Sequence, residues 1–366
     1  MMETEMGYRG SKSEIKSPQP NQISVKEQRV DGSCFGLLKP KLRFTLMGFE
    51  RSYQVRVLSK QLNKLFFSTV SYIPQSSQLN PFFVTGFCDA ECTFTLKITK
   101  SLSSKIGYKL QPCFAIELHK RDFNLLKQIK SFYDVGIISV NNKKNTVTYN
   151  VTTLDHLLTI IIPHFTNYPL LTEKSIDFSL WCKIIYIIKS GEHLTEEGFN
   201  KIISIKAVLN WGLSDKLIKD FPHIAPMKRP AKTKIITIEP SWIAGFASGE
   251  SSFTSSQYTR NGKLNIKSIF QLSQLDRDTE LLKLISNILG TGYLYPDKGS
   301  MMRLMVQSYK DCFNFIIPFF DKYTILGNKG KYYIIWKELV TLLNNNAQNT
   351  PDGIKEILRL KNLLNK

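Results

Sequence analysis

Two glutamates stand at equivalent places in a chain that repeats itself. Glu91 closes the segment "PFFVTGFCDAE" and Glu250 closes "SWIAGFASGE", and both copies share a G-F-x-x-x-E core at residues 86–91 and 245–250. Each copy carries small residues four apart, Gly86 and Ala90 in the first, Gly245 and Gly249 in the second. On a helix that spacing puts both on one face, and two such faces can pack backbone against backbone. Packing of this kind would bring the two carboxylates together. Carboxylates that approach one another repel unless a proton or a cation lies between them, and oxygen ligands with positions left open for water and phosphate suit Mg²⁺. Helix packing accounts for a strip of small residues, and a solvated helix end accounts for a single glutamate. Neither accounts for strip and glutamate recurring together.

The similarity continues past the glutamates in the same order. "LHKRDFNLLKQIKSFYDVGII" answers "LDRDTELLKLISNILGTGYL", and "IIPHFTNYPLLTEK" answers "IIPFFDKYTILGNK"; the pairs Asp122/Asp278, Gly136/Gly292 and Lys174/Lys329 keep a nearly constant separation. A duplication of roughly a hundred residues explains this better than chance. Within each copy the pattern predicts helix, two strands, helix, two strands, then further helices. Phe82 to Ala90 is expected to be helical. From Thr93 to Thr99 the apolar Phe94, Leu96 and Ile98 alternate with Thr95, Lys97 and Thr99, which marks a half-buried strand with a polar face. In the second copy Asn261-Gly262 reads as a hairpin turn, after which Lys263, Asn265 and Lys267 alternate with Leu264 and Ile266. A further hairpin is expected from Ile138 to Val151 through "NNKKN", and helical spacing covers Asp122 to Phe132 and the runs after Lys174 and Lys329. The fold class is therefore α+β, one unit used twice. Four regions are expected: an N-terminal extension at 1–78, partly disordered; a first repeat at 79–225; a basic linker at 226–240, whose "PMKRPAKTK" has the composition of an exposed tether; and a second repeat at 241–366. Cys34 and "KLRFTLMGFERSYQV" hint at some order in the extension and carry no assignable chemistry.

Bulk composition narrows the class of partner. The chain has 366 residues, 42% hydrophobic and 11% aromatic, so it can bury a core, and 49 Lys and Arg against 30 Asp and Glu leave a formal net charge of +19. That excess makes sense mainly where a polyanion shares it, which puts nucleic acid first. The longest apolar stretches, such as Leu157 to Pro163, fall far short of the ~20 residues a spanning helix needs, so no membrane role is expected. The six cysteines, Cys34, Cys88, Cys92, Cys113, Cys182 and Cys312, show no C-x-x-C pair, and the five histidines no H-x-x-x-H. Neither a zinc site nor a disulfide framework is expected, and a reducing compartment is the simplest setting. Cys88 and Cys92, four apart, are assigned to packing, as are the aromatics Phe315, Phe319, Phe320, Tyr332, Tyr333 and Trp336. Residues 1–78 lack the apolar core of a secretory signal and the acid-poor composition of a transit peptide.

The segments "VTGFCDAEC" and "IAGFASGES" resemble the paired LAGLIDADG motifs of homing endonucleases, in the single-chain, two-motif form of organellar introns. The resemblance spans roughly residues 80–366. It implies two four-stranded antiparallel sheets facing the DNA major groove, with the motif helices packed between the repeats. It implies that Glu91 and Glu250 are acidic metal ligands, that the carbonyls of Ala90 and Gly249 are backbone ligands, that Lys174 and Lys329 are active-site lysines, and that Gln274 orders the attacking water. Leu118 stands in the position equivalent to Gln274 in the first copy. Cys92 and Ser251 replace the glycine that usually ends the motif, which raises the question of whether the chain there needs positive φ. The strand residues Thr95, Lys97, Lys263, Asn265 and Lys267 are the expected contacts to base edges and phosphates. The implied activity is Mg²⁺-dependent hydrolysis of one phosphodiester on each strand of a double-stranded target, leaving a staggered break that promotes intron mobility. The implied setting is a monomer in the mitochondrion. The alternative is an intron-encoded RNA maturase that binds host intron RNA, with or without endonuclease activity. A basic DNA-binding scaffold would explain the charge and leave the carboxylate pair without a purpose.

Overall fold

Each motif helix begins where the chain offers a proline in the first turn. In the computed structural model, which describes residues 78–364 apart from 234, 236, 261 and 262, helix α1 runs Pro81–Glu91. The Asn80 side chain accepts hydrogen bonds from the Phe82 and Phe83 N–H groups, the first at 2.9 Å, so two donors at the helix start are satisfied. There follow β1 (Cys92–Lys100), β2 (Tyr108–His119), a 3₁₀ turn, α2 (Phe123–Tyr133), β3 (Ile137–Asn141) and β4 (Thr146–Val151). A π-type turn at Leu157–Ile161 leads into α3 (Ile162–Asn167), then α4 (Lys174–Ser190), α5 (Glu196–Lys206) and α6 (Asp215–Asp220). The second repeat retraces the plan with α7 (Pro240–Glu250), β5 (Ser251–Arg260), β6 (Lys263–Leu275), α8 (Thr279–Leu289), β7 (Tyr293–Pro296) and β8 (Met301–Val306). It ends with α9 (Ile317–Lys322), α10 (Gly327–Asn344) and α11 (Pro351–Leu364). The order of elements agrees with the expected duplication. The Asn261-Gly262 turn, Cys34, the stretch from Lys41 to Val55 and the Lys263 side chain lie outside the described residues.

Both sheets are four-stranded and antiparallel, with orders β1-β2-β4-β3 and β5-β6-β8-β7. Alternation decides which face of each is covered. Phe94 is wholly buried against Phe114, Phe165, Phe178 and Trp181, and Phe253 sits equivalently among Phe270, Phe320, Tyr333 and Trp336. One aromatic cluster has thus been written twice. Burial of such rings is the main source of stability for each core. Of the aromatics assigned to packing, Phe315 departs: its side chain is exposed, because it falls on the outer side of the turn before α9.

Among the described residues two hydrophobic cores form, and each motif helix reaches into both. Ala244 of α7 packs with the first core, and Ala90 of α1 packs with the second. The connection between the repeats is also less free than its composition indicates. Instead of an exposed tether it is pinned: Arg229 bonds Asp177 at 2.9 Å and the Val208 carbonyl at 2.7 Å, while Lys232 pairs with Asp278. Asp177 and Asp278 are almost wholly buried, so the linker's cations neutralise charges that could not stand alone. Among the described residues no helix is long and apolar enough to cross a membrane.

Candidate active site at the helix seam

The seam between α1 and α7 is built from missing side chains. A Cβ placed on Gly86 would lie 2.0 Å from the Trp242 carbonyl oxygen, and one on Gly245 would lie 2.0 Å from that of Phe83. The two backbones therefore touch directly, as the small-residue strips predict. Further along, a Cβ on Gly249 would meet the Ala90 Cβ at 2.4 Å and the Glu91 Oε1 at 3.2 Å. The Glu91 carboxyl consequently lies against the last turn of α7, whose final residue is Glu250.

The two acids share one charged environment with the same two lysines. Burial pushes the Glu250 carboxyl up to about 7, and the charge of Glu91 adds to the shift; Lys174 and Lys329 oppose it. Burial likewise raises Glu91, against the same two lysines. Both side chains keep some solvent contact, yet surrounding protein removes most of the water that would stabilise their charge. Lys174 is nearly fully buried and donates from Nζ to the Cys88 carbonyl at 2.9 Å, while Lys329 donates from Nζ to the Ser251 carbonyl. Burial holds Lys329 below the usual lysine range despite the two glutamates. The structure thus brings four of the expected residues, Glu91, Glu250, Lys174 and Lys329, into one charged cluster. The lysines differ in their partners: one grips the end of α1, the other the first residue of β5.

Ala90 and Gly249 occupy the last helical turns, where backbone carbonyls run out of intrahelical donors. Gln274 is half-buried on the face of β6 shared with Phe270 and Leu272, paired with Met302, and no hydrogen bond joins it to either glutamate. Its counterpart Leu118 is buried, as an apolar residue on that face should be. Cys92 and Ser251 raise no difficulty at the helix exits. Their φ values are −84° and −76°, ordinary extended backbone, so the final glycine of the motif is not required here. Cys88 and Cys92 are free thiols packed in the core, and among the described residues no group of three or more His, Cys, Asp or Glu is placed to hold a metal ion.

The sequence reading missed Asp89 and Ser248. Asp89 is buried and accepts from the Leu171 N–H at 2.8 Å, the Thr172 hydroxyl at 2.6 Å and the Trp242 Nε1 at 2.9 Å. It docks the loop leading to Lys174. Ser248, at the matching place in α7, accepts from the Leu326 N–H at 3.0 Å and docks the loop leading to Lys329. The signal available was their place two residues before each glutamate, but neither residue type nor spacing reveals a partner more than seventy positions away.

Opposite the cores, each sheet presents a polar face. Thr95 and the exposed Lys97 alternate with buried Phe94, Leu96 and Ile98, and Lys97 pairs in register with Gln111. In the second sheet Asn265 and Lys267 pair with Tyr258 and Ser256, and the Lys267 Nζ lies 5.2 Å from the centre of the Tyr258 ring. Tyr293, exposed on the short β7, lies on the same face by register through Met305 and Gln271.

Two duplicated α+β units with a glutamate pair at the packed ends of their first helices, flanked by lysines, define the class of two-motif nucleases. The chain belongs to the LAGLIDADG endonuclease family, whose model matches residues 84–185 and 243–340. It is similar to the probable intron-encoded endonuclease 3 of Neurospora crassa, 34% identical over 377 residues covering 98% of this chain and 69% of that protein. The probable intron-encoded endonuclease 2 of the same fungus is 34% identical, covering 98% and 80%. Among solved structures, the I-SmaMI homing endonuclease bound to cleaved DNA superposes with a TM-score of 0.75 at 34% identity, covering 78% of this chain and 96% of that one. The I-LtrWI homing endonuclease bound to target DNA does so at 0.75 and 33%, covering 77% and 96%.

Proposed function

We propose that this protein is a mitochondrial homing endonuclease that cuts both strands of a specific DNA duplex with a stagger, using Mg²⁺ held at the Glu91–Glu250 pair. One observation carries the reading: two half-buried carboxylates from equivalent helix ends share a site with two lysines, and desolvation raises the proton affinity of both acids against those lysines, a cost that a divalent cation relieves. The donor set fits such an ion, being all oxygen, with the carbonyls of Ala90 and Gly249 at hand in the last helical turns. When bound, the metal supplies a polarised water and counter-charge for the phosphate.

The chain's own groups do the rest. Glu91 and Glu250 anchor the site at the seam. The Lys329 Nζ, whose hold on its proton is weakened by burial, is a donor for negative charge that develops on a phosphate or leaving oxygen, and Lys174 occupies the matching place beside α1. Gln274 is assigned the ordering of water on one side only, because Leu118 occupies its counterpart. Thr95, Lys97, Asn265 and Lys267 contact base edges and phosphates along the two sheet faces, and Lys263 is assigned the same role from the sequence pattern. The related I-SmaMI has been seen on an uncleaved DNA target with calcium ions, and relatives of this chain include proteins of an ND4 intron in Podospora anserina and a cox1 intron in Schizosaccharomyces pombe. Those hosts support intron homing and a mitochondrial setting. A maturase acting on RNA alone would have no use for the carboxylate pair.

The test is selection of a target from a randomised duplex library by the purified protein with Mg²⁺, followed by cleavage assays of Glu91→Gln and Glu250→Gln. Each substitution is expected to cut the rate by at least ~10³-fold while leaving DNA binding intact. Variants that cut as fast as wild type would refute the assignment, and a wild type that binds intron RNA tightly but cuts no duplex would make the maturase reading the correct one.

A further inference from the structure

The residues that precede the two lysine-bearing helices, Leu326 before α10 and Glu173 before α4, do not cap with their side chains; within its own loop α4 has the Thr172 hydroxyl, which accepts from the Lys174 N–H at 3.2 Å. In both cases the other repeat supplies a carboxylate. The Asn328 N–H, one residue before Lys329, donates to Asp122 Oδ1 at 2.6 Å, and Asp122 lies at the end of the 3₁₀ turn after β2. The Glu173 N–H, one residue before Lys174, donates to both oxygens of Asp278 at 3.2 and 3.3 Å, and Asp278 ends the matching turn after β6. The bonds span 206 and 105 residues of sequence, so each crosses the seam.

Close packing leaves little room for these helix starts to drift. Gly327 sits at φ +71°, and a Cβ there would come within 2.7 Å of Asp122 Oδ1, so the carboxylate is pressed directly onto the chain just before Lys329. Negative charge beside exposed helix N–H groups is also favoured by the helix dipole. The supports behind the two aspartates differ. Asp278 is almost wholly buried and is paired with Lys232 from the linker, whereas Asp122 is partly exposed and has Arg121 at 3.8 Å.

We infer that Asp122 and Asp278 are positioning residues acting across the seam, each fixing the start of the helix whose lysine serves the opposite repeat, so that each governs the cutting of one DNA strand. The inference rests on the nuclease reading. Lys329 contacts the end of the second motif and Lys174 the end of the first; on the nuclease reading each of those pseudo-symmetric ends serves one strand of the duplex. A lysine displaced by even about 1 Å is enough to slow a phosphoryl transfer ~10²-fold. The buttress from Lys232 exists on one side, which makes the Asp122 side the softer of the two.

A supercoiled plasmid bearing the target selected by wild-type protein tests this, with each strand labelled and the supercoiled, nicked and linear forms followed in Mg²⁺. Asp122→Ala is expected to slow one strand by at least ~10-fold, so that nicked circle accumulates, and Asp278→Ala to slow the other. Asp122→Asn keeps an oxygen facing the Asn328 N–H and should recover most of the lost rate. Melting temperature and affinity for uncleaved duplex in Ca²⁺ are measured alongside. Equal slowing of both strands in step with lost stability or affinity would overturn the inference, leaving the aspartates as plain fold staples. So would wild-type rates in Asp122→Ala, which is the variant to rely on if Asp278→Ala does not fold. A wild type that cuts no duplex at all would instead bring down the nuclease reading.

Discussion

Glu250 titrates near neutrality because desolvation and the neighbouring Glu91 both oppose its ionisation. Its folded pKa of about 7 lies above the ordinary carboxylate value, so between the two the folded state binds the extra proton and stability falls as pH rises. Over that window the loss is on the order of 3 kcal/mol. Glu250→Gln carries no charge to desolvate and is expected to raise the melting temperature of the metal-free protein at pH 8 by several degrees, and by little at pH 4. Adding a divalent cation at pH 8 should stabilise wild type and scarcely affect the variant. Thermal unfolding at the two pH values decides it, and a variant that melts lower than wild type at pH 8 would remove the argument. The acids themselves were legible in the sequence, since each copy puts a glutamate at the same distance from the same glycine. Asp89 and Ser248 were not, because a buried polar residue declares its role only through the distant loop it holds.

The motif helices depend on glycine for a steric reason that can be measured. Gly245→Ala would force a Cβ to within 2.0 Å of the Phe83 carbonyl oxygen, a contact with rigid backbone that only separation of the helices can relieve. A destabilisation of about 3 kcal/mol or more is expected in urea unfolding. Gly107→Ala serves as a comparison: φ is +75° there with nothing within 4 Å, so the cost should be about 1 kcal/mol of left-handed strain. Comparable losses at the two sites would argue against backbone contact at the seam. Strands and helices were readable because their apolar residues keep a period that survives duplication. The linker was not, since Arg229 and Lys232 look like solvated cations until the buried carboxylates of Asp177 and Asp278 are seen beside them.

At the scale of the whole molecule the charge of +19 becomes an affinity term. Each lysine that neutralises a phosphate releases counterions, so Lys97→Ala and Lys267→Ala should each reduce the slope of log K against log salt by about 1. Filter binding from 50 to 200 mM salt measures it; an unchanged slope would place those side chains off the duplex. The two units themselves are joined more intimately than a tandem repeat requires. Ala90 belongs to the second core and Ala244 to the first. Anyone recombining relatives into hybrid nucleases therefore inherits a constraint: a first half from one parent and a second half from another must be matched at these exchanged alanines and at the seam glycines Gly86, Gly245 and Gly249. A crossover that ignores the match would yield a chimera with two imperfect interiors, however well each half reads its own stretch of DNA.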